Sequence, residues 1–137
     1  MLNTRLVSTV IVLGALFACS GDSTQPDGSG VFLFALRDLP GQFVAQTSDP
    51  AVLEKARAQL RLPLQQRDLF IIGPIAAGNG GHNLDWSWHF VPDEWDLAEA
   101  AIEVCDGTPD AVEADLERWL DEVGHFCPWR SYVADEL

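Results

Sequence analysis

The sequence predicts an α+β domain: a mainly antiparallel sheet of about five to six strands packed by two helices. Three observations carry this expectation. Apolar, β-rich runs of strand length recur at residues 31–37, 69–77 and 86–91. Two helix starts share one signature, a capping residue followed by proline, at Asp49-Pro50 and Thr108-Pro109. The order of the segments, ββα then βββ then αβ, is that of an α+β domain and contains no internal repeat.

Taken in turn, Val31–Arg37 is rich in Val, Phe and Leu and reads as a buried strand. Asp38-Leu39-Pro40-Gly41 turns the chain, because proline presets φ and glycine accepts a positive one. Gln42–Thr47 returns as the second strand of a hairpin. Asp49 then caps a helix with Pro50 at its first position, where a missing N–H costs nothing. Val52, Leu53, Ala56 and Leu60 form its apolar face and Pro63 blocks its extension. Leu69–Ala77 is a further strand, with Gly73-Pro74 marking an edge or a bulge. Gly78-Asn79-Gly80-Gly81 is a loop, and with no following Gly-Lys-Ser/Thr it is no phosphate cradle. In Trp86–Val91, Trp86, Trp88 and Phe90 alternate with Ser87, His89 and Val91, the period of a strand. Pro92-Asp93-Glu94 turns. Ala100–Cys105 is expected as the next strand, with Ile102 and Val104 on one face, while Trp95–Glu99 reads as a helical turn. Thr108-Pro109-Asp110 opens a second helix whose stripe is Val112, Leu116, Trp119, Leu120 and Val123, ended by Gly124. Arg130–Val133 closes the domain as a last strand.

Ahead of this domain the chain reads as an address. Arg5 precedes a mostly apolar run from Leu6 to Ala18, shorter than the roughly 20 residues a membrane-spanning helix needs. The run ends in Leu16-Phe17-Ala18-Cys19, which resembles the lipobox of bacterial lipoproteins. The resemblance implies cleavage before Cys19, acylation of its sulfur and anchoring in a lipid bilayer. Residues 1–18 are then a signal peptide, 19–30 a flexible Gly/Ser/Asp/Pro-rich tether and 31–137 a single folded domain. An ordinary secretory signal with a chance cysteine is the other reading of this segment. Ser20 after the cysteine favours the outer membrane over the inner by the family's sorting rule. The expected location is the bacterial cell envelope, with the domain in an oxidising extracytoplasmic space.

The chain carries 21 acidic and 8 basic residues, a net charge of −13. Such a surface repels phosphate backbones, so no nucleic acid partner is expected. The charge is lopsided: residues 31–84 hold four acids and five bases, whereas 85–137 hold fifteen acids against Arg118 and Arg130 alone. An acidic face keeps a protein soluble. It also suits a cationic partner.

Several stretches match a known family. They are Thr47-Ser48-Asp49-Pro50 leading to Ala56-Arg57-Ala58, Trp86-Ser87-Trp88-His89-Phe90, Ala101-Ile102-Glu103-Val104-Cys105-Asp106 and Cys127-Pro128-Trp129. Val112-Glu113 and Asp121-Glu122-Val123-Gly124 fit as well. Val31–Leu137 resembles a small domain of secreted bacterial proteins that is also the N-terminal domain of a eukaryotic calmodulin-binding protein. The resemblance implies no established biochemical activity. Calmodulin binding is not expected here, because calmodulin targets are basic amphipathic helices. The second helix sets Asp110, Glu113, Asp115, Glu117, Asp121 and Glu122 against Arg118.

Few constellations can carry chemistry. With Cys19 acylated, Cys105 and Cys127 remain, and two cysteines in an exported domain pair. The same sulfurs with His125 and His89 could hold zinc, although the spacing is not that of a zinc finger. His125 beside Cys127 could also make a nucleophile pair, without an evident oxyanion hole. Around the glycine loop, His82, Asp85, Trp86, Trp88 and His89 form a candidate ligand site, by metal or base chemistry at the histidines and stacking at the indoles. The period-2 alignment of the tryptophans with Phe90 argues for core instead. Glu103 and Asp106 are paired carboxylates better explained by the turn that follows them. No catalytic motif, cofactor or metal site is expected. The resulting reading is a membrane-anchored envelope lipoprotein whose disulfide-stapled domain binds an unknown protein or small ligand. The alternatives are a metal- or cysteine-dependent hydrolase using His82, His89, His125 and Cys105/Cys127, and a structural envelope protein.

Overall fold

The computed structural model describes residues 28–137. The signal segment 1–18, Cys19 and the tether as far as Asp27 lie outside the described residues. The fold is α+β, with two antiparallel sheets of three and four strands and short helices.

The first sheet has the order β2-β1-β7, from β1 (Gly30–Leu36), β2 (Gln42–Thr47) and β7 (Ser131–Glu136). The hairpin pairs Gly30 with Thr47 through Ala35 with Gln42, in the register the Asp38–Gly41 turn dictates. Phe32 and Phe34 point into the core, as the alternation requires, and the β1–β7 ladder shifts register between Leu33 and Phe34. Helix α1 (Pro50–Leu60) follows. Asp49 accepts from the N–H groups of Ala51 (2.9 Å) and Val52 (3.4 Å), a cap worth about 1 kcal/mol. Val52, Leu53 and Ala56 are buried.

The second sheet is built on β3 (Phe70–Ala77). β4 (Trp88–Phe90) pairs with its end, β5 (Asp96–Ala98) with its beginning and β6 (His125–Phe126) with its middle. The edge expected at Gly73-Pro74 is not found, since β6 pairs with both residues in the middle of β3. Pro74 falls in the gap between the β4 and β5 ladders, where its missing N–H forfeits no bond to either. Gly73 is required by proximity: a Cβ there would lie 2.6 Å from the Trp95 Cβ and 2.7 Å from its Cα. The two sheets are joined by Ser131, whose Oγ accepts from the Ile71 N–H at 3.3 Å. Arg67 ties the segment after α1 to β7, donating to the carbonyls of Leu62 (3.1 Å) and Val133 (3.0 Å).

Between them lies an aromatic core. Phe34 stacks on Phe43 (ring centroids 5.4 Å apart), Phe90 stacks on Phe126 (5.7 Å), and Trp88 and Trp119 each meet Phe126 edge-on at 5.4 Å. Pairs of this kind contribute about 0.5–1.5 kcal/mol each beyond their buried area.

Two sequence expectations need correction. Ala100–Cys105 is not a strand. It ends in a 3₁₀ turn at Glu103–Cys105, and Ile102 and Val104 are 70% and 58% exposed. The pairing belongs instead to Asp96–Ala98, read from the sequence as a helical turn. Burying the Trp95 indole, whose N–H donates to the Gln46 carbonyl at 2.7 Å, outweighs a two-residue alternation of β-branched side chains. Nor does the second helix run unbroken. It divides into α2 (Pro109–Ala114), capped by Thr108, then α3 (Leu116–Arg118) and a π turn (Trp119–Val123). The break is Asp115, at φ −142° and ψ 54°, a residue whose short polar side chain disfavours helix interiors. Val112 and Trp119 still reach the core, whereas Leu116, Leu120 and Val123 are half-buried against it.

Candidate functional site

The glycine loop, residues 78–81, is followed in the chain by the candidate residues His82, Asp85, Trp86, Trp88 and His89. His82 and His89 are brought together, their rings edge-to-face with centroids 5.5 Å apart. Each ring is held by the loop: the His82 Nδ1 lies 3.1 Å from the Gly80 carbonyl and the His89 Nδ1 2.7 Å from that of Gly78. A carbonyl only accepts, so both Nδ1 atoms carry the proton and both Nε2 atoms are bare in the neutral rings. The His82 Nε2 is buried without a partner. Burial pushes the His82 pKa down and neighbouring His89 adds to this, against the opposing pull of the Gly80 carbonyl. Gly80, at φ +63°, has no room for a side chain, since a Cβ would sit 2.6 Å from the His89 ring.

The remaining members do not converge on the imidazoles. Asp85 is exposed. Trp86 is half-buried, with its indole N–H donating to the Gln42 carbonyl at 2.9 Å. Trp88 is fully buried among Phe43, Phe90 and Phe126, where it serves packing and offers no face for stacking a ligand. His125 stands exposed on β6 opposite Pro74. Among the described residues no cluster of three or more His, Cys, Asp or Glu side chains could hold a metal ion.

Asn83, which the sequence reading passed over, and Glu113, read there only as one of the acids of the second helix and part of the family match, hold this loop in place. Asn83 is buried; its Oδ1 accepts from the Val44 N–H (2.9 Å) and its Nδ2 donates to the Trp88 carbonyl (2.8 Å), bridging β2 to β4. Glu113 on α2 accepts from the Ser87 N–H (3.0 Å) and Oγ (2.7 Å). Nothing in the sequence distinguishes Asn83 from an ordinary loop asparagine.

The second location is organised by the cysteines. Cys105 and Cys127 form a disulfide with Cα atoms 5.1 Å apart, inside the usual range. Both are buried against Phe70. The Cys127 N–H donates to the Cys105 carbonyl at 2.8 Å, so the two segments run side by side. Asp106 completes the arrangement: its Oδ1 accepts from the N–H groups of Gly107 (2.8 Å) and Trp129 (2.9 Å). This turn role accounts for Asp106. Trp129 is thereby presented at the surface, 42% exposed, as one wall of an open cavity of about 350 Å³. Asp68, Phe70, Glu99, Ala100 and Ala101 complete the lining. A second hollow of about 290 Å³ lies among Asp115, Glu117, Arg118, Asp121 and Glu122.

Fold and site together define a small disulfide-stapled α+β domain with a packed aromatic interior and an acidic outer face. Residues 30–137 match the BP-74 N-terminal domain, and the chain belongs to that family. The match takes in the whole of Val31–Leu137, the span of the resemblance read from the sequence. No curated protein and no solved structure matches the chain.

Proposed function

We propose that the protein is an exported, lipid-anchored binding module of the bacterial cell envelope, held at the membrane by acylated Cys19 and engaging its partner through the acidic face beside the disulfide. One observation carries the binding half of this reading: the Cys105–Cys127 bond and Asp106 together hold an exposed tryptophan over an open cavity. A staple that presents an indole to solvent is an expensive arrangement for packing alone, since burying it would stabilise the fold. Binding is favoured over cysteine-dependent hydrolysis because each sulfur is joined to the other, which leaves neither thiolate for attack or zinc. The glycine loop is favoured as scaffold over ligand site because its indoles are tied into the core or to backbone carbonyls.

An oxidising compartment is what a disulfide requires, and this supports export. The Gly/Ser/Asp/Pro-rich composition between Cys19 and the domain suits a tether to an anchor, and Ser20 favours outer-membrane sorting. The test is the intact mass of the full chain recovered from a membrane fraction, with Cys19→Ala as the control. The expected result is a chain that begins at Cys19, carries acyl mass and partitions with membranes, while C19A is soluble and unacylated. An unmodified Cys19 overturns the anchored reading.

A further inference from the structure

We infer that the cavity beside the disulfide receives the guanidinium of an arginine side chain, presented by a segment of a partner protein; this rests on the binding-module reading and names its ligand chemistry. The lining has three parts, each with a counterpart in arginine. The half-exposed Trp129 indole lines the cavity, and a planar cation stacks on an indole better than a compact ammonium does. Phe70, Ala100 and Ala101 supply apolar surface for a methylene stem. Asp68 and Glu99 supply the carboxylates that a guanidinium fork engages through charge-assisted hydrogen bonds.

Those two carboxylates are not engaged in the ion pairs of the described residues, which join Lys55 to Asp96, Arg57 to Glu136, Arg61 to Glu54 and Arg118 to Glu122. Arg37 and Arg67, the basic residues flanking this part of the chain, donate to main-chain carbonyls instead. Arg130 follows Trp129 but does not line the cavity. The field around the site has the same sign, because residues 85–137 carry fifteen acids and two bases. A negative cleft of this kind draws a cation inward and weakens with added salt. A bare metal ion fits less well, since hard cations take six or more oxygens and this lining is largely carbon. Exposed Ile102 and Val104 follow Ala101 in the chain and offer apolar footing to the residues flanking the arginine.

The test uses the full chain, exported to an oxidising compartment and labelled at its tryptophan indoles with ¹⁵N. The Trp129 signal is assigned by Trp129→Phe. The probes are Nα-acetyl-arginine amide, its lysine and citrulline counterparts, and the peptide acetyl-Gly-Arg-Gly amide. The expected result is a saturable shift of the Trp129 signal with the arginine probes, smaller with lysine, absent with citrulline and diminished by salt. D68N and E99Q each weaken the arginine response about tenfold, the size of one charge-assisted hydrogen bond. Their unchanged Trp88 and Trp95 signals report an intact core. A citrulline response equal to that of arginine, an unmoved Trp129 signal, or full binding by D68N/E99Q overturns the inference. Acylation of Cys19 is scored separately, so failure here leaves the anchored module standing, and failure there leaves the arginine pocket standing.

Discussion

Two regions of the molecule solve the same backbone problem by different means. The β2-β1-β7 sheet with α1 is regular, and ladders and a capped helix satisfy its polar groups. It is stitched together by cations: Arg57 meets Glu136 at 2.7 Å, and Arg67 spans carbonyls of two segments. The stretch from Glu99 to Arg130 has a 3₁₀ turn, a broken helix, a π turn and one two-residue strand. A disulfide, a threonine cap and Asp106 hold that stretch together. The difference shows where a small domain can carry an uncompensated charge excess. Regular elements bury and pair their surfaces, whereas the stapled irregular stretch sends Val112, Trp119 and Phe126 into the core and leaves its carboxylates, Asp106 apart, exposed.

The largest expected effect tests whether the irregular stretch depends on the common core. Trp119→Ala removes the edge-on contact with Phe126 and should destabilise by about 3–5 kcal/mol in urea titration. A loss below about 1 kcal/mol would mean that the broken helix is only loosely docked. Next, Cys105→Ala/Cys127→Ala opens a bridge separated by 22 residues, with an expected cost of about 3 kcal/mol. Hydrogen exchange should then show protection lost first over residues 99–128 and kept longest in β1. Equal loss in both regions would dissolve the contrast.

The caps sharpen the comparison on a smaller scale. Asp49→Ala and Thr108→Ala each remove a side-chain acceptor for helix N–H groups, at about 1 kcal/mol each by thermal unfolding. The acid limb differs between regions as well. The Arg57 hydrogen bond holds the Glu136 carboxyl below its ordinary value, and donors from Ser48 hold Asp93 low. A depressed carboxylate stabilises the fold above its unfolded pKa, and that stability is lost as pH falls through the folded one. Urea midpoints should therefore decline on acidification below about pH 4.5, with a shallower slope in Arg57→Gln. A slope as steep as wild type would show that the ion pair contributes nothing. The smallest effect belongs to Ile102→Ser/Val104→Ser. These exposed positions should cost no more than about 0.5 kcal/mol, whereas a loss of several would restore the strand expected over Ala100–Cys105.

Much of the fold was legible because local chemistry decides it. Asp49-Pro50 and Thr108-Pro109 start helices whatever surrounds them, since the cap satisfies N–H groups within three residues. The β1–β2 hairpin and the burial of Trp88 and Phe90 follow from turn residues and a sustained alternation. The pairing of Cys105 with Cys127 was expected once Cys19 was set apart by its lipobox-like context, and the two sulfurs are joined.

What the sequence determined by itself was the α+β class, the positions of the helix starts, the partners in the disulfide and the concentration of acid in the second half. The tertiary structure alone decided that Asp96–Ala98 takes the place expected of Ala100–Cys105 beside β3, because that choice depends on where Trp95 finds room over Gly73. It decided likewise that Asn83 bridges two strands and that Trp129 closes a cavity with Asp68 and Glu99. Asn83 lies 39 positions from Val44, and Asp68 is farther still from Trp129. A pattern read along the chain carries periodicity and caps, but proximity across such separations exists only once the core has packed.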